Sequence, residues 1–138
     1  MAFEAPAELA GLRVLVVDDE EDARDLIVTI LAQCGADARA VPSMGTALDE
    51  LRAWKPDVLL SDIGMPDGDG YDLIRSVRGM PPAEGGAIPA GALTAYARAE
   101  DRRRALVAGY QMHVPKPVEP AELAAVVANL ARIGRSLR

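Results

Sequence analysis

Val58-Leu59-Leu60-Ser61-Asp62-Ile63-Gly64-Met65-Pro66-Asp67-Gly68-Asp69-Gly70 is the stretch on which the reading of this chain turns. An apolar run reaches a single carboxylate, and the chain then breaks into Gly, Pro and Asp. Short apolar runs closed by turn residues read as strands buried on both faces. Asp62 therefore stands at the C-terminal lip of a central strand, where open parallel sheets bind their ligands.

The same grammar repeats on either side. Arg13 to Val17 is an apolar run that stops at Asp18-Asp19, a second strand ending in acid. Glu20 to Cys34 places Leu26, Ile27, Ile30, Leu31 and Cys34 at helical spacing, with acids in the first turn where the helix dipole favours them and Gly35 closing the end. Ala36 to Val41 is a weaker strand, and Pro42-Ser43 opens a helix to about Ala53. Tyr71, Leu73, Ile74 and Val77 mark a third helix ending near Gly79. Ile88 to Leu93 is a strand that delivers Thr94, and Tyr96 to Ala108 is an Arg-rich helix stopped by Gly109. Gln111 to Val114 makes a short strand before Pro115-Lys116-Pro117, and Glu119 to Ile133 forms the last helix. Strands alternating with helices at these intervals predict βαβ units and a doubly wound parallel sheet of five strands with five helices. The expected bounds are a loose arm over 1–10, one domain over 11–133 and a tail over 134–138.

Composition narrows the function. The 138 residues suffice for one domain with a proper core. No uncharged run is long enough to span a bilayer, and Met1 to Gly11 does not read as a secretion signal. The single Cys34 precludes an internal disulfide and suits a reducing, cytoplasmic setting; on its helical stripe it reads as a small core hydrophobe. A net charge of −6 argues against a nucleic-acid surface, and a single His leaves little for a multi-histidine metal site or a Ser-His-Asp device. The expected partners include neither nucleic acid nor membrane.

The strand ends carry the chemistry: Asp18 and Asp19, Asp62, Thr94 and Lys116. If the strand order reverses between the first and third strands, the three acids meet at one switch point. Carboxylates crowded together repel and raise one another's pKa, and a hard divalent cation resolves the conflict; Mg²⁺ takes one or two carboxylates plus water and phosphate oxygen. Lys116 adds a mobile point charge suited to phosphate, and Thr94 a hydroxyl donor. Metal, ammonium and hydroxyl around one carboxylate are what phosphoryl transfer needs, with Asp62 as the nucleophile.

The ordered set Val16-Val17-Asp18-Asp19-Glu20, Leu60-Ser61-Asp62-Ile63-Gly64-Met65-Pro66, Ala92-Leu93-Thr94-Ala95 and Lys116-Pro117 resembles the receiver domains of two-component response regulators, from about Arg13 to Leu130. Receivers joined to hybrid sensor histidine kinases look most similar, at Ala95-Tyr96-Ala97-Arg98 and Gly109-Tyr110-Gln111-Met112-His113. The resemblance implies a flavodoxin-like sheet in the order 2-1-3-4-5. It implies Asp62 as phosphoacceptor, Asp19 as a direct Mg²⁺ ligand, Asp18 acting through water and the Gly64 main-chain carbonyl completing the site. It further implies Thr94 and Lys116 as phosphoryl-binding residues, a cis Lys116-Pro117 bond, and a phosphohistidine donor on a histidine kinase or histidine phosphotransfer protein. The domain would switch its fourth helix, fifth strand and fifth helix, and hydrolyse the acyl phosphate slowly; no classified enzyme activity is expected beyond that. Stand-alone regulator and piece of a larger hybrid kinase both remain open, as does the downstream protein target.

Two departures stand out. His113 occupies the place where receivers usually keep Tyr or Phe; it can rotate similarly but is smaller, polar and partly chargeable near neutral pH, so it is the switch candidate here. Pro89-Ala90-Gly91-Ala92 puts small residues where bulkier aliphatics are usual, and glycine inside a strand weakens it, so mobility is expected in the segment leading to Thr94. Plainer readings sit beside these: Asp19 alone reads as a helix cap, Lys116 alone as a solvated lysine, and Arg98, Arg102, Arg103 and Arg104 as a solvated face with Glu100 and Asp101. The same arginines could instead dock an acidic partner. Asp67-Gly68-Asp69-Gly70 begins like a calcium loop, but Asp72 and Arg78 hold the places where an EF-hand needs glycine and glutamate. The rival functions are an aspartate-nucleophile phosphohydrolase of the haloacid dehalogenase type, which wants an acid where Gly64 stands, and an interaction module that keeps the fold without phosphorylation.

Overall fold

The computed structural model describes residues 4–64, 70–95 and 99–136. Five parallel strands run β1 (Arg13–Val17), β2 (Asp37–Val41), β3 (Val58–Asp62), β4 (Ala90–Thr94) and β5 (Met112–Pro115), in the spatial order β2-β1-β3-β4-β5. They alternate with α1 (Glu21–Gln33), α2 (Met44–Trp54), α3 (Gly70–Arg78), α4 (Ala99–Ala108) and α5 (Pro120–Ser136). Tyr96 to Arg98, which the sequence assigns to the fourth helix, lie outside the described residues, as do Met65 to Asp69.

Strand side chains alternate between faces, and each face of this sheet is covered, which explains the nearly unbroken apolar runs. Val14, Val16, Val58, Leu60, Leu93 and Val114 pack against α1 and α5. Leu15, Val17, Leu59, Ala90 and Ala92 pack against α2, α3 and α4. Helix ends follow local chemistry. Ser43 accepts a bond from the Thr46 N–H at 3.3 Å to cap α2, and Pro120 opens α5 where its missing N–H costs nothing, with Glu119 accepting from the next two free N–H groups at 3.1 and 2.9 Å. Cys34 is buried at the end of α1, and burial pushes its thiol pKa up, in keeping with a core hydrophobe.

Three expectations change. The arm over 1–10 is not loose throughout: Ala7–Leu9 form a 3₁₀ turn, Leu9 is fully buried in the α1/α5 core, and the Arg132 Nε donates to Glu8 at 2.7 Å. One leucine among Ala, Glu and Pro carries no periodic signal, so only packing shows its role. The tail begins later than 134, because α5 runs to Ser136. Gly134, just past the expected helix end, lies inside the helix, where a Cβ would come within 3.1 Å of the Pro89 ring. Finally, Gly91 is not a loose spot. A Cβ there would sit 3.1 Å from Leu60 Cδ2 and 3.2 Å from Leu130 Cδ1, and every residue of β4 is buried. The small residue makes room for two leucines that cover the sheet.

Trimming Leu9 to alanine tests the docked arm. We expect a loss of about 2–5 kcal/mol, the range for emptying a buried leucine site, read as a lower urea midpoint at unchanged slope. A truly loose arm would leave the midpoint where it is.

Candidate functional site

The order β2-β1-β3 sets the C-terminal ends of β1 and β3 side by side, with Val17 paired to Ser61 in register. Asp18 and Asp19 follow β1 directly and Asp62 ends β3, so two separate strand ends deliver three acids to one crevice. One carboxylate oxygen from each lies within 4.8 Å of the others, and among the described residues they form the one cluster of three or more such side chains able to hold a metal ion. Asp18 is fully buried, Asp62 nearly so at 8%, and Asp19 faces solvent. Asp18 Oδ1 accepts the Glu20 N–H at 3.0 Å in the turn just before α1, and the exposed Asp19 carboxylate does not cap that helix. The Arg24 side chain donates to the Asp18 carbonyl at 2.8 Å, a brace that sequence pattern does not reveal.

Lys116 reaches this cluster from the far side of β4. Its Nζ lies 2.8 Å from Asp18 Oδ2 and 3.4 Å from Asp62 Oδ2. Burial pulls the ammonium pKa down, but the bond to Asp18 and the charges of Asp62 and Asp18 outweigh it, and the net shift is upward. Lys116 therefore stays charged, unlike an isolated buried lysine. Burial raises the Asp62 pKa above the ordinary carboxylate value, Lys116 opposes that, and the Asp18 charge adds to it. The Gly64 N–H donates to Asp62 Oδ1 at 3.4 Å. The all-oxygen donor set, crowded and only partly neutralised by one ammonium, fits a hard cation such as Mg²⁺.

Thr94 ends β4, one residue beyond Leu93, which is Asp62's partner in register; the Lys116 N–H donates to the Thr94 carbonyl at 2.8 Å. Threonine and lysine are thus locked to one another through backbone beside the acids. The Lys116–Pro117 bond is cis. His113 pairs with Ala92 in β5 and faces α4, lining a shallow cleft with Arg102, Ala105 and Leu106. Arg102, Arg103 and Arg104 are exposed as expected of a solvated face, with Arg104 stacked 4.1 Å over the Tyr71 ring; Arg98 lies outside the described residues. So do Asp67 to Asp69 of the calcium-like loop.

Residues that pattern reading passes over sit just behind the acids. Gly70 opens α3 with its N–H donating to the Ile63 carbonyl at 2.9 Å, and a Cβ there would overlap the Asp62 carbonyl oxygen. Only glycine can approach that closely. Tyr110 is buried, with its hydroxyl donating to the Gly70 carbonyl at 2.6 Å. Arg78, half-buried, donates to the carbonyls of Gly86, Ile88 and Gly109 and to Gln111 Oε1. Its partners lie up to 33 residues away, beyond any local signal.

The sheet thus carries an acid cluster and an opposed lysine at the carboxyl ends of its strands, the arrangement of a signalling receiver domain. Residues 14–128 match the model of the response regulator receiver domain, and the chain belongs to that family. It is 45% identical over 119 residues to an uncharacterised 14.6 kDa protein of Leptolyngbya boryana, covering 86% of this chain and 89% of that one. It is 34% identical over 119 residues to the transcriptional regulatory protein CreB of Escherichia coli, covering 86% of this chain but half of CreB. The receiver domain of a signal transduction histidine kinase from Syntrophus aciditrophicus superposes with a TM-score of 0.79 at 30% identity, over 88% of this chain and 91% of that one. No helix among the described residues is long and apolar enough to cross a membrane.

His113 yields a pH test. Burial lowers its pKa below the usual 6.5, the nearby Arg102 lowers it further, and Glu122 partly opposes both. The unfolded chain therefore binds the proton first as pH falls. The stability this group contributes is complete above 6.5 and is lost as pH drops through the folded value. We expect His113→Gln to gain stability relative to the wild type on moving from above to below 6.5, measured by denaturant titration at each pH. Parallel curves would sink that assignment.

Proposed function

We propose that this receiver accepts a phosphoryl group on Asp62 from a phosphohistidine of a histidine kinase or histidine phosphotransfer protein. An Asp62 carboxylate oxygen forms the new O–P bond as the N–P bond of the donor breaks and the departing imidazole nitrogen takes up a proton. Asp18, Asp19, Asp62 and the Gly64 carbonyl would hold Mg²⁺, which when bound supplies positive charge for the phosphoryl oxygens. Lys116 gives up part of its pairing with the carboxylates to bind an incoming phosphoryl oxygen, and the Thr94 hydroxyl donates to another. Because Lys116 follows β5 and Thr94 ends β4, moving these two groups alters the packing of α4, β5 and α5, with His113 as the side chain that reorients; partners would read the resulting population shift. Water then hydrolyses the acyl phosphate slowly.

One observation carries this reading: the Lys116 ammonium standing between Asp18 at 2.8 Å and Asp62 at 3.4 Å in a three-acid pocket. Intact-mass measurement after incubation with acetyl phosphate and Mg²⁺ tests it. The wild type gains one phosphoryl group; Asp62→Asn gains none, and chelating the metal abolishes labelling. Lys116→Met labels about a hundredfold more slowly, the scale of losing one charge-stabilising donor. An unlabelled wild type would favour the interaction-module reading.

A further inference from the structure

We infer that Tyr110 is a positioning residue for the acceptor site, its buried hydroxyl holding the end of β3 through Gly70. This rests on the phosphoacceptor reading above. The chain of contact is short. The hydroxyl donates to the Gly70 carbonyl at 2.6 Å, the Gly70 N–H donates to the Ile63 carbonyl at 2.9 Å, and the Gly70 backbone lies against the Asp62 carbonyl. The residue that carries the nucleophile and the one after it are therefore gripped from behind by one phenol.

The phenol has a fixed reach because its own backbone is clamped on both sides. The Tyr110 N–H donates to the Ala105 carbonyl at 3.0 Å. The Gly109 carbonyl accepts from Arg78 Nε and Nη2 at 3.0 and 2.8 Å. Gln111 donates its N–H to the Ala90 carbonyl at 2.9 Å, while its Oε1 accepts the Ala90 N–H at 2.7 Å and Arg78 Nη2 at 3.1 Å. Arg78 ends the same helix that Gly70 begins, so residues 109–111 hold α3 at both of its ends. A tyrosine needed only to fill the core would serve as well as phenylalanine. The hydroxyl adds a directed bond to the residue whose N–H holds Ile63 and whose backbone lies against Asp62, beyond the strand pairing of Asp62 with Leu93, and holding a reacting group in place is itself a rate effect.

Tyr110→Phe keeps the ring and the fold and deletes that bond. Mg²⁺ affinity by calorimetry and the initial rate of labelling by acetyl phosphate should each fall about tenfold, the lower end of what partners behind a metal site are worth. Backbone amide resonances of Ile63, Gly64 and Gly70 should shift while those of α1 stay put. Ile27→Val, a core trimming in α1, serves as the stability control and should change neither quantity. The inference fails if Tyr110→Phe binds Mg²⁺ and labels like the wild type, or changes no more than Ile27→Val does. A labelled wild type with an unaffected Tyr110→Phe removes only the role of Tyr110. A wild type that takes no phosphoryl group removes the phosphoacceptor reading itself.

Discussion

The structure depends on a charge balance at the carboxyl end of its sheet. Three acids converge there, one fully buried, and Lys116 is drawn between two of them. Taking such charges out of water costs several kcal/mol per ion, and only close, well-bonded partners offset it. The balance is incomplete by design of the residue set: one ammonium faces three carboxylates. That residual negative charge makes the pocket attractive to a hard cation, while burial, with the Asp18 charge adding to it, holds the Asp62 carboxyl above its ordinary value against the pull of Lys116.

The rest of the fold keeps those groups in position. Lys116 and Asp18 lie 98 residues apart, and only a parallel sheet with β3 and β4 between their strands brings them to 2.8 Å. β4 is the thin part of this wall. Its Ala90, Gly91 and Ala92 let Leu60 and Leu130 close over it, so it is narrow and packed at once. Behind β3, α3 is tied to residues 109–111 by Tyr110 at one end and Arg78 at the other. The site thus sits at strand ends, with its backing fixed by buried hydrogen bonds.

What was legible in the sequence was legible because it is local. Apolar runs stopped by acids at Asp18 and Asp62, a threonine closing β4 and a lysine before proline each announce a strand end, and α/β alternation then fixes which edge they share. His113 could be named as a departure from the family pattern, but its half-buried place against Arg102 and α4 could not be read from its neighbours in the chain. Leu9 falls within the arm expected to be loose, and Gly134 just past the expected end of the last helix at Ile133, since those bounds rest on composition while packing in the core under α5 and against Pro89 decides them.

The sequence by itself determined the order of strands and helices and the identity of the groups at the strand ends, since periodicity and turn residues act over a few positions. Tertiary structure alone decided which acid is buried, which lysine oxygen contact is shortest, and why Gly70, Arg78, Gly91 and Tyr110 are the residues they are. Each of those depends on atoms brought within a few ångströms from distant parts of the chain, and no pattern within one segment encodes that meeting.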